Sequence, residues 1–389
     1  MEYKRVKISE ICSSICSGGT PKSTIPEYYG GNIPWLNTKE INFNRIYNTE
    51  KSITKEGLIN SSAKWIEENS VVVAMYGATA GKSAITKIPL TTNQACCNIT
   101  VNNSKADYRF VYYALYNDYK CLASLANGGA QQNLNAQLIK DFDIPNFPLN
   151  EQIKIANLIS TLDDKIELNR RINDNLEQQA QALFNYYLIE NPLELGDCTK
   201  GNLASIASYL NGLAMQKYRP TNGEDGIPVL KIKELGQGSC DSNSDLCSSN
   251  ISPDYIVNDG DIIFSWSGTL MVDIWTGGKC GLNQHLFKVS SEKYPKWFVF
   301  YWTNHYLDKF IRIAKDKAVT MGHIKRSELE LSDVIIPKSD KLANLNLIFN
   351  PLLDEYITKR IEIRELRRLK DELLPKLMSG ELKINDLHS

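Results

Sequence analysis

The stretch of this chain closest to catalytic machinery is Gly77-Ala78-Thr79-Ala80-Gly81-Lys82-Ser83, which follows the apolar run Val71-Val72-Val73-Ala74-Met75-Tyr76. Glycine, lysine and a hydroxyl residue in that order build a phosphate-binding loop, whose backbone N–H groups wrap the phosphate while the lysine reaches its oxygens. That motif needs four residues between its glycines. Here there are three, and Tyr76 stands where the first glycine should be. The stretch reads instead as a tight loop that holds a backbone and Lys82 close to a partner, or as a purely structural turn. Methyl transfer would call for a glycine-rich cofactor loop and an Asn/Asp-Pro-Pro-aromatic motif; Asn191-Pro192-Leu193 is the nearest and lacks the second proline and the aromatic. Metal-dependent hydrolysis would call for clustered carboxylates with a lysine. Glu67-Glu68 and Asp163-Asp164 stand alone and read as solvated helix charges. The histidines, His285, His305, His323 and His388, have no metal-ligand spacing, and the nine cysteines include no Cys-x-x-Cys pair. The cysteines are expected to be free thiols in a reducing compartment. The sequence therefore predicts no catalytic residue, no metal and no cofactor of its own, which leaves recognition by polar side chains.

The elements that would carry those side chains come twice. Ile33-Pro34-Trp35-Leu36 with Lys39-Glu40-Ile41 returns as Ile227-Pro228-Val229-Leu230 with Lys233-Glu234-Leu235. The strand Val71–Tyr76 and its small-residue loop return as Asp261-Ile262-Ile263-Phe264-Ser265-Trp266 with Ser267-Gly268-Thr269. Asn93-Gln94 returns as Asn283-Gln284, and Asp141-Phe142-Asp143-Ile144-Pro145 as Asp333-Val334-Ile335-Ile336-Pro337. A helical stretch from Tyr108 to Leu125 matches another from Trp297 to Ala314. Each match alone is weak; their common order, at a near-constant offset of about 190 residues, makes the chain an internal repeat.

After each proline-terminated strand comes a long helical segment. In the first, Ile155, Ile159, Leu162, Ile166, Leu176, Ala180, Leu183 and Tyr187 fall on a 4-3 spacing, interrupted by Asn169 and Asn173. In the second, the corresponding seam is Leu345, Phe349, Leu352, Tyr356, Leu366, Lys370, Leu373 and Leu377, with Lys359 and Ile363 as the interruptions. A sustained 3.5-residue period predicts a coiled coil, and polar seam residues predict a fixed register. Pro351 is expected in an N-terminal turn and Pro375 at a kink or end. Charges such as Arg367/Asp371 and Arg368/Glu372 read as a solvated helix face, with a phosphate-contacting face as the alternative. The organisation is therefore a mixed α/β (α+β) domain over 1–149, a spacer helix over 150–190, a second domain over 191–339 and a C-terminal spacer helix over 340–389. Packed antiparallel, two helices of about 35 residues span roughly 50 Å, which is about one and a half turns of DNA.

Composition sets outer bounds. Hydrophobic residues make up 42% and charged residues 23%, values of a globular protein, and no apolar run is long enough to span a membrane. The polar start Met1-Glu2-Tyr3-Lys4-Arg5 has no apolar signal core, so a cytoplasmic location is expected. The net charge of −1 argues mildly against nucleic acid, although Lys and Arg slightly outnumber Asp and Glu over 1–149.

Several motifs, taken in order, resemble the specificity subunits of type I restriction–modification systems. They are Ser17-Gly18-Gly19-Thr20-Pro21 followed by Gly31-Asn32-Ile33-Pro34-Trp35, then Pro148-Leu149-Asn150-Glu151-Gln152 leading into Ile155-Ala156 and Leu162-Asp163-Asp164-Lys165-Ile166, and finally Leu373-Leu374-Pro375-Lys376-Leu377-Met378-Ser379-Gly380-Glu381. The resemblance covers nearly the whole chain. It implies two target-recognition domains, each reading one half of a split, asymmetric site in double-stranded DNA. It implies spacer helices that dock two adenine methyltransferase subunits and, in the full enzyme, restriction subunits, with S-adenosylmethionine and ATP bound by those partners. The second half departs from the pattern, with Asn211-Gly212-Leu213-Ala214 in place of the Gly-Gly-Thr-Pro match and Pro337-Lys338-Ser339-Asp340-Lys341 in place of the Pro-x-x-Glu-Gln entry.

Base edges are read by Arg, Lys, Asn, Gln and hydroxyl side chains, and phosphates are held by cations, hydroxyls and N–H groups. On loops of the first domain this selects Thr20, Lys22, Asn37, Lys39, Thr79, Lys82, Gln131, Gln132 and Asn133 as DNA contacts. In the second it selects Gln216, Lys217, Arg219, Lys231, Lys233, Ser267, Thr269, His323, Lys325 and Arg326. Trp35 and Trp266 are expected to pack in the core, and the recurring Asn-Gln pairs to play a structural part. Two other readings stand beside this one: a coiled-coil adaptor whose domains bind proteins, and a nucleotide-acting enzyme resting on the defective phosphate loop.

Overall fold

The computed structural model describes residues 4–126, 133–221, 223–316 and 324–384. Contacts divide the chain into two units, Met1–Asp164 with Arg368–Ser389, and Lys165–Arg367. The division falls inside both long helices, because each half-helix packs on the domain beside it.

In the first unit the continuous apolar run Val71–Ala74 becomes a strand buried on both faces, the pattern expected of an inner strand. It sits in a five-stranded sheet of order Cys12–Ser17, Cys96–Val101, Val71–Ala74, Ser83–Thr86, Asn44–Ile46. A second sheet runs Lys51–Ile53, Tyr29–Leu36, Leu90–Thr92, Trp65–Ile66, with its two central strands parallel. A short pair, Arg5–Lys7 against Asp143–Pro145, ties the start of the domain to the strand before the long helix. Helices Tyr108–Asn117 and Tyr119–Ser124 complete the core.

The second unit repeats this plan. Its sheets run Ser208–Asn211, Leu286–Ser290, Ile262–Ser265, Met271–Ile274, and Leu246–Cys247, Ile227–Leu230, Cys280–Leu282, Ile256–Val257, again with a parallel central pair. Cys198–Asn202 pairs with Asp333–Pro337, and helices Lys296–His305 and Leu307–Asp316 close the core.

The repeat reaches individual hydrogen bonds. Asn93 N–H donates to Leu36 O and Asn283 N–H to Leu230 O; Cys96 N–H donates to Asn93 O and Leu286 N–H to Asn283 O. Gly18 N–H donates to Cys96 O, and Gly212 N–H to Leu286 O. This also explains the departure of Asn211–Ala214 from the glycine-rich motif. A Cβ on Gly18 would lie 2.1 Å from Thr92 Oγ1, and one on Gly212 would lie 2.2 Å from Asn283 O. Only the first glycine of the motif lies where a side chain is excluded in both halves, and only that one is kept.

The long helices are Leu149–Phe184 (36 residues), extended by a π-helical segment Asn185–Glu190, and Ser339–Ser379 (41 residues). Within each unit they run antiparallel. In the first, Ile155 and Ile159 share a core with Leu374, Leu377 and Met378. In the second, Ala180, Phe184 and Leu188 share one with Leu345, Phe349 and Leu353. Ile155, Ile159 and Ile166 of the expected seam are buried, and Leu162, Leu176 and Leu183 partly so. On the last helix the buried row is Leu345, Phe349, Leu353, Ile363, Lys370, Leu374 and Leu377. The sequence placed the seam at Leu352, Tyr356, Leu366 and Leu373, which are only partly buried. The buried row lies one residue further on at two turns, since this helix also turns toward its domain.

Pro351 lies well inside this helix, not in its first turn, and the helix runs through Pro375 without ending there. Each proline removes one i→i−4 hydrogen bond. The carbonyls so released belong to Leu347 and Asp371, both exposed residues, so water can replace the lost donor. Of the pair Asp163-Asp164, Asp164 is an exposed helix charge as expected, but Asp163 is partly buried. Asp163 accepts from Lys370 Nζ (2.8 Å) and Tyr113 Oη (2.9 Å), and Asp164 pairs with Arg45. Glu67-Glu68 are exposed on a turn, not a helix. In the second unit Arg360 bonds both carboxylate oxygens of Asp273 (2.6 and 2.8 Å), and Trp297 stacks on Phe349 at 4.1 Å while its Nε1 donates to Asn346.

Candidate nucleic-acid interface

In the first domain, loops that follow several strands converge on one rim. Asn37, after the strand Tyr29–Leu36, opens a turn closed by Glu40, whose carboxylate accepts from Asn37 N–H (2.9 Å) and Glu50 N–H (2.9 Å). Asn93 Nδ2 donates to Asn37 Oδ1 (3.2 Å), so the recurring asparagine holds this turn in place. Thr79 donates to Thr38 O (2.9 Å), which brings the Gly77–Thr79 turn against the Thr38–Glu40 turn. Lys82 Nζ reaches Asn42 Oδ1 (2.7 Å), and Thr20 Oγ1 accepts from Gln94 N–H (3.4 Å). Asn133 is exposed and bridges Tyr76, itself 41% exposed, across the same loop.

Six of the expected contacts, Thr20, Asn37, Lys39, Thr79, Lys82 and Asn133, are thus linked through neighbouring loops. Lys39 pairs with Glu50, which removes part of its attraction for a phosphate, and Glu50 first raises the Lys39 pKa by its hydrogen bond. Lys22 is exposed. Gln131 and Gln132 lie outside the described residues. The phosphate-loop near miss is settled by local geometry. Gly77 and Gly81 adopt positive φ (78° and 84°), and the segment leads into the strand Ser83–Thr86, not into a helix N-terminus that could hold a phosphate.

The second domain forms the equivalent rim. Lys231 opens a turn whose Glu234 carboxylate accepts from Lys231 N–H (3.2 Å), as Glu40 does for Asn37. Ile324 N–H donates to Trp266 O and Leu134 N–H to Met75 O, so both rims are closed by the same late loop. Gln216, Lys217, Arg219, Thr269, Lys325 and Arg326 are exposed, and Arg326 Nη2 also donates to Tyr209 O (3.1 Å). Lys233 lies 3.9 Å from both Glu234 and Asp241. Ser267 is 5% exposed, its hydroxyl 3.1 Å from His285 Nδ1, so its place in a loop does not put it on the surface. His323 lies outside the described residues. Trp35 is buried with Nε1 donating to Gly19 O (2.9 Å), and Trp266 is half-buried with Nε1 donating to Asn211 Oδ1 (3.0 Å).

A groove of about 530 Å³ lies between Gln216, Arg219, Lys231 and Asp245, with Met215, Val229 and Asn283 among its lining. Sequence reasoning missed Asp245, because a search for donors passes over a carboxylate. The signal that could have found it is the strand pairing of Ile227–Leu230 with Leu246–Cys247, which sets Asp245 beside Lys231. Among the described residues no three His, Cys, Asp or Glu side chains are placed to hold a metal ion, and no helix is long and apolar enough to cross a membrane.

Comparison with known proteins agrees with this arrangement. Residues 1–178 match the family described as the type I restriction modification DNA specificity domain. The chain is 29% identical to the type I restriction enzyme MjaIX specificity subunit of Methanocaldococcus jannaschii, over 98% of this chain and 94% of that one. It is 26% identical to the Escherichia coli EcoR124I/EcoR124II specificity subunit over 44% of this chain and 43% of the relative. Its fold resembles that of the type I restriction–modification S subunit from M. genitalium, with a TM-score of 0.55 and 17% identity over 97% of this chain and 96% of that one. With these motifs in this order on repeated α/β domains and long helices, the chain is similar over nearly its whole length to type I restriction–modification specificity subunits, and its first 178 residues match that family's DNA specificity domain.

Proposed function

We infer that this chain is the DNA sequence-recognition subunit of a type I restriction–modification complex, reading a bipartite, asymmetric site with one half-site per domain. The observation that carries this is the repeated rim. The same hydrogen-bonded frame (Leu36/Leu230, Asn93/Asn283, Gly18/Gly212) presents different side chains in the two halves, among them the exposed Lys22 against the exposed Gln216. A common frame with different donors is what reading two different half-sites requires.

The chain itself supplies recognition and no chemistry. Its helices dock the enzymatic subunits: two adenine methyltransferase subunits binding S-adenosylmethionine and, in the full enzyme, ATP-dependent restriction subunits. The complex works in the cytoplasm. The near-zero net charge fits a subunit whose partners provide part of the electrostatic clamp, so the chain alone should bind DNA weakly and with steep salt dependence. Single-molecule methylome sequencing of the host, with and without this gene, tests the reading. Loss of adenine methylation at one gapped motif is expected. A methylome unchanged while the gene is expressed alongside its methyltransferase would refute it.

A further inference from the structure

The groove of the second domain holds a carboxylate between two cations. Asp245 pairs with Lys231, while Arg219 lines the same groove from the loop after Met215–Lys217. All three side chains reach solvent. The hydrogen bond and charge of Lys231, and then the charge of Arg219, hold the Asp245 carboxyl below the usual carboxylate range. A lone carboxylate on a DNA-facing rim is repelled by phosphates; flanked by two cations, it stays ionised and locally neutralised. The frame beneath is the shared one, since Asn283 on the groove lining is the counterpart of Asn93.

We propose that this groove is where the second domain reads a G·C base pair of its half-site, with Arg219 donating to the guanine acceptors and Asp245 accepting from the cytosine amino group. This rests on the DNA-recognition reading given above. The choice of base pair follows from the groups each base shows in the major groove. Guanine offers two acceptors, O6 and N7, which suit a guanidinium fork. Cytosine offers only its N4 amino donor, which suits a carboxylate, whereas adenine pairs a donor with an acceptor and suits an amide. A groove that sets an arginine across from an aspartate therefore matches guanine and cytosine in one pair. Lys231 keeps the carboxylate oriented and adds a donor for a neighbouring phosphate or guanine.

The test is the methylated motif of the intact complex in its host, read for the wild type, Asp245→Asn and Arg219→Gln. Both substitutions are conservative and fall on exposed side chains, so folding should be unaffected; equal abundance of the complex checks this. The wild type should give one gapped motif. Each variant should lose discrimination at one G·C position of one half-site, the same position in both, by about tenfold or more. The other half-site and the gap should be unchanged. If both variants keep the wild-type motif and lose methylation uniformly, the groove holds backbone phosphate and the proposal fails. A change confined to Arg219→Gln would make Asp245 a positioning residue for Lys231 and overturn the shared base pair. A wild type without a gapped motif would sink the recognition reading itself, an outcome distinct from the other two.

Discussion

At the scale of single residues, two tightly constrained glycines lie where one half of the chain repeats the other. Gly18 and Gly212 lie so close to the loop at Thr92–Asn93 and at Asn283 that a methyl group would overlap backbone atoms, at 2.3 Å from Asn93 O and 2.2 Å from Asn283 O. Neither glycine has a positive φ, so the requirement is space and not backbone conformation. Gly18→Ala and Gly212→Ala should each cost about 1–3 kcal/mol by overpacking, as measured by chemical denaturation. A cost below about 0.5 kcal/mol, the range of ordinary surface substitutions, would show that the loops can yield. Glu224 offers a pH test. Its carboxylate accepts from Ser248 Oγ, from Thr221 N–H, and from the Ser249 hydroxyl and N–H, and is thereby lowered to about 2. The folded value lies below the unfolded one, so this group's contribution is fully present above about pH 4.5 and is lost as pH falls toward 2. An NMR titration of the Glu224 carboxyl should show that depressed midpoint; a midpoint at or above 4.5 would mean that the loop bonds do not persist in solution. The sequence could not show this, just as it could not show that Asp163 and Asp164 are engaged. Their partners Lys370, Tyr113 and Arg45 lie far away in the chain, and an isolated carboxylate pair looks the same in sequence whether paired or solvated.

At the scale of elements, the helices were the most legible part, because a sustained 3.5-residue apolar period marks a long helix even where packing shifts the buried row by a residue. The first seam is found at Ile155, Ile159 and Ile166 as read. The slip from Leu352 and Leu373 to Leu353 and Leu374 has a physical cause. The last helix packs against its helical partner and its domain together, and its buried stripe drifts toward the latter. That second contact is carried by Arg360, whose guanidinium bonds both oxygens of Asp273 and whose side chain is largely buried. Burial opposes its charge, and Asp273 more than offsets that, so Arg360 stays protonated throughout the working pH range. Arg360→Ala strands Asp273 and should cost about 2–4 kcal/mol, less than a fully buried pair because the site keeps some solvent. Arg360→Lys should recover little, since an ammonium cannot reproduce the paired bonds. Equal stability of the wild type and the lysine variant would show that charge alone holds the domain to this helix. Asn173 makes the opposite case. It is 7% exposed in the seam with its Oδ1 unpaired among the described residues, so Asn173→Leu should raise the melting temperature. Its retention points to register rather than stability, and an unchanged or lowered melting temperature would argue against that trade.

At the scale of the whole molecule, the repeat makes the chain a frame copied twice. The covalent route from one copy to the other is the helix Leu149–Phe184, whose residues up to Asp164 belong to one unit and from Lys165 onward to the other. Sequence motifs alone brought this frame into view because strands, turns and the Asn-Gln pairs recur in order. The side chains on the rim were not fixed in the same way, since whether a loop lysine faces solvent or a carboxylate depends on strand pairing, as with Lys231 and Asp245. If the frame holds the readers and the helices set their separation along DNA, then half-site identity and gap length are separate properties of separate residues. Inserting one helical turn into the exposed stretch of either spacer should change the gap of the methylated motif while leaving both half-sites as they were. The complementary change, Asp245→Asn, should alter a base and leave the gap alone. An insertion that altered half-site bases would mean that the helices shape the reading surfaces themselves, and a gap indifferent to insertion would mean that the methyltransferase partners, not this chain, set the distance between the half-sites.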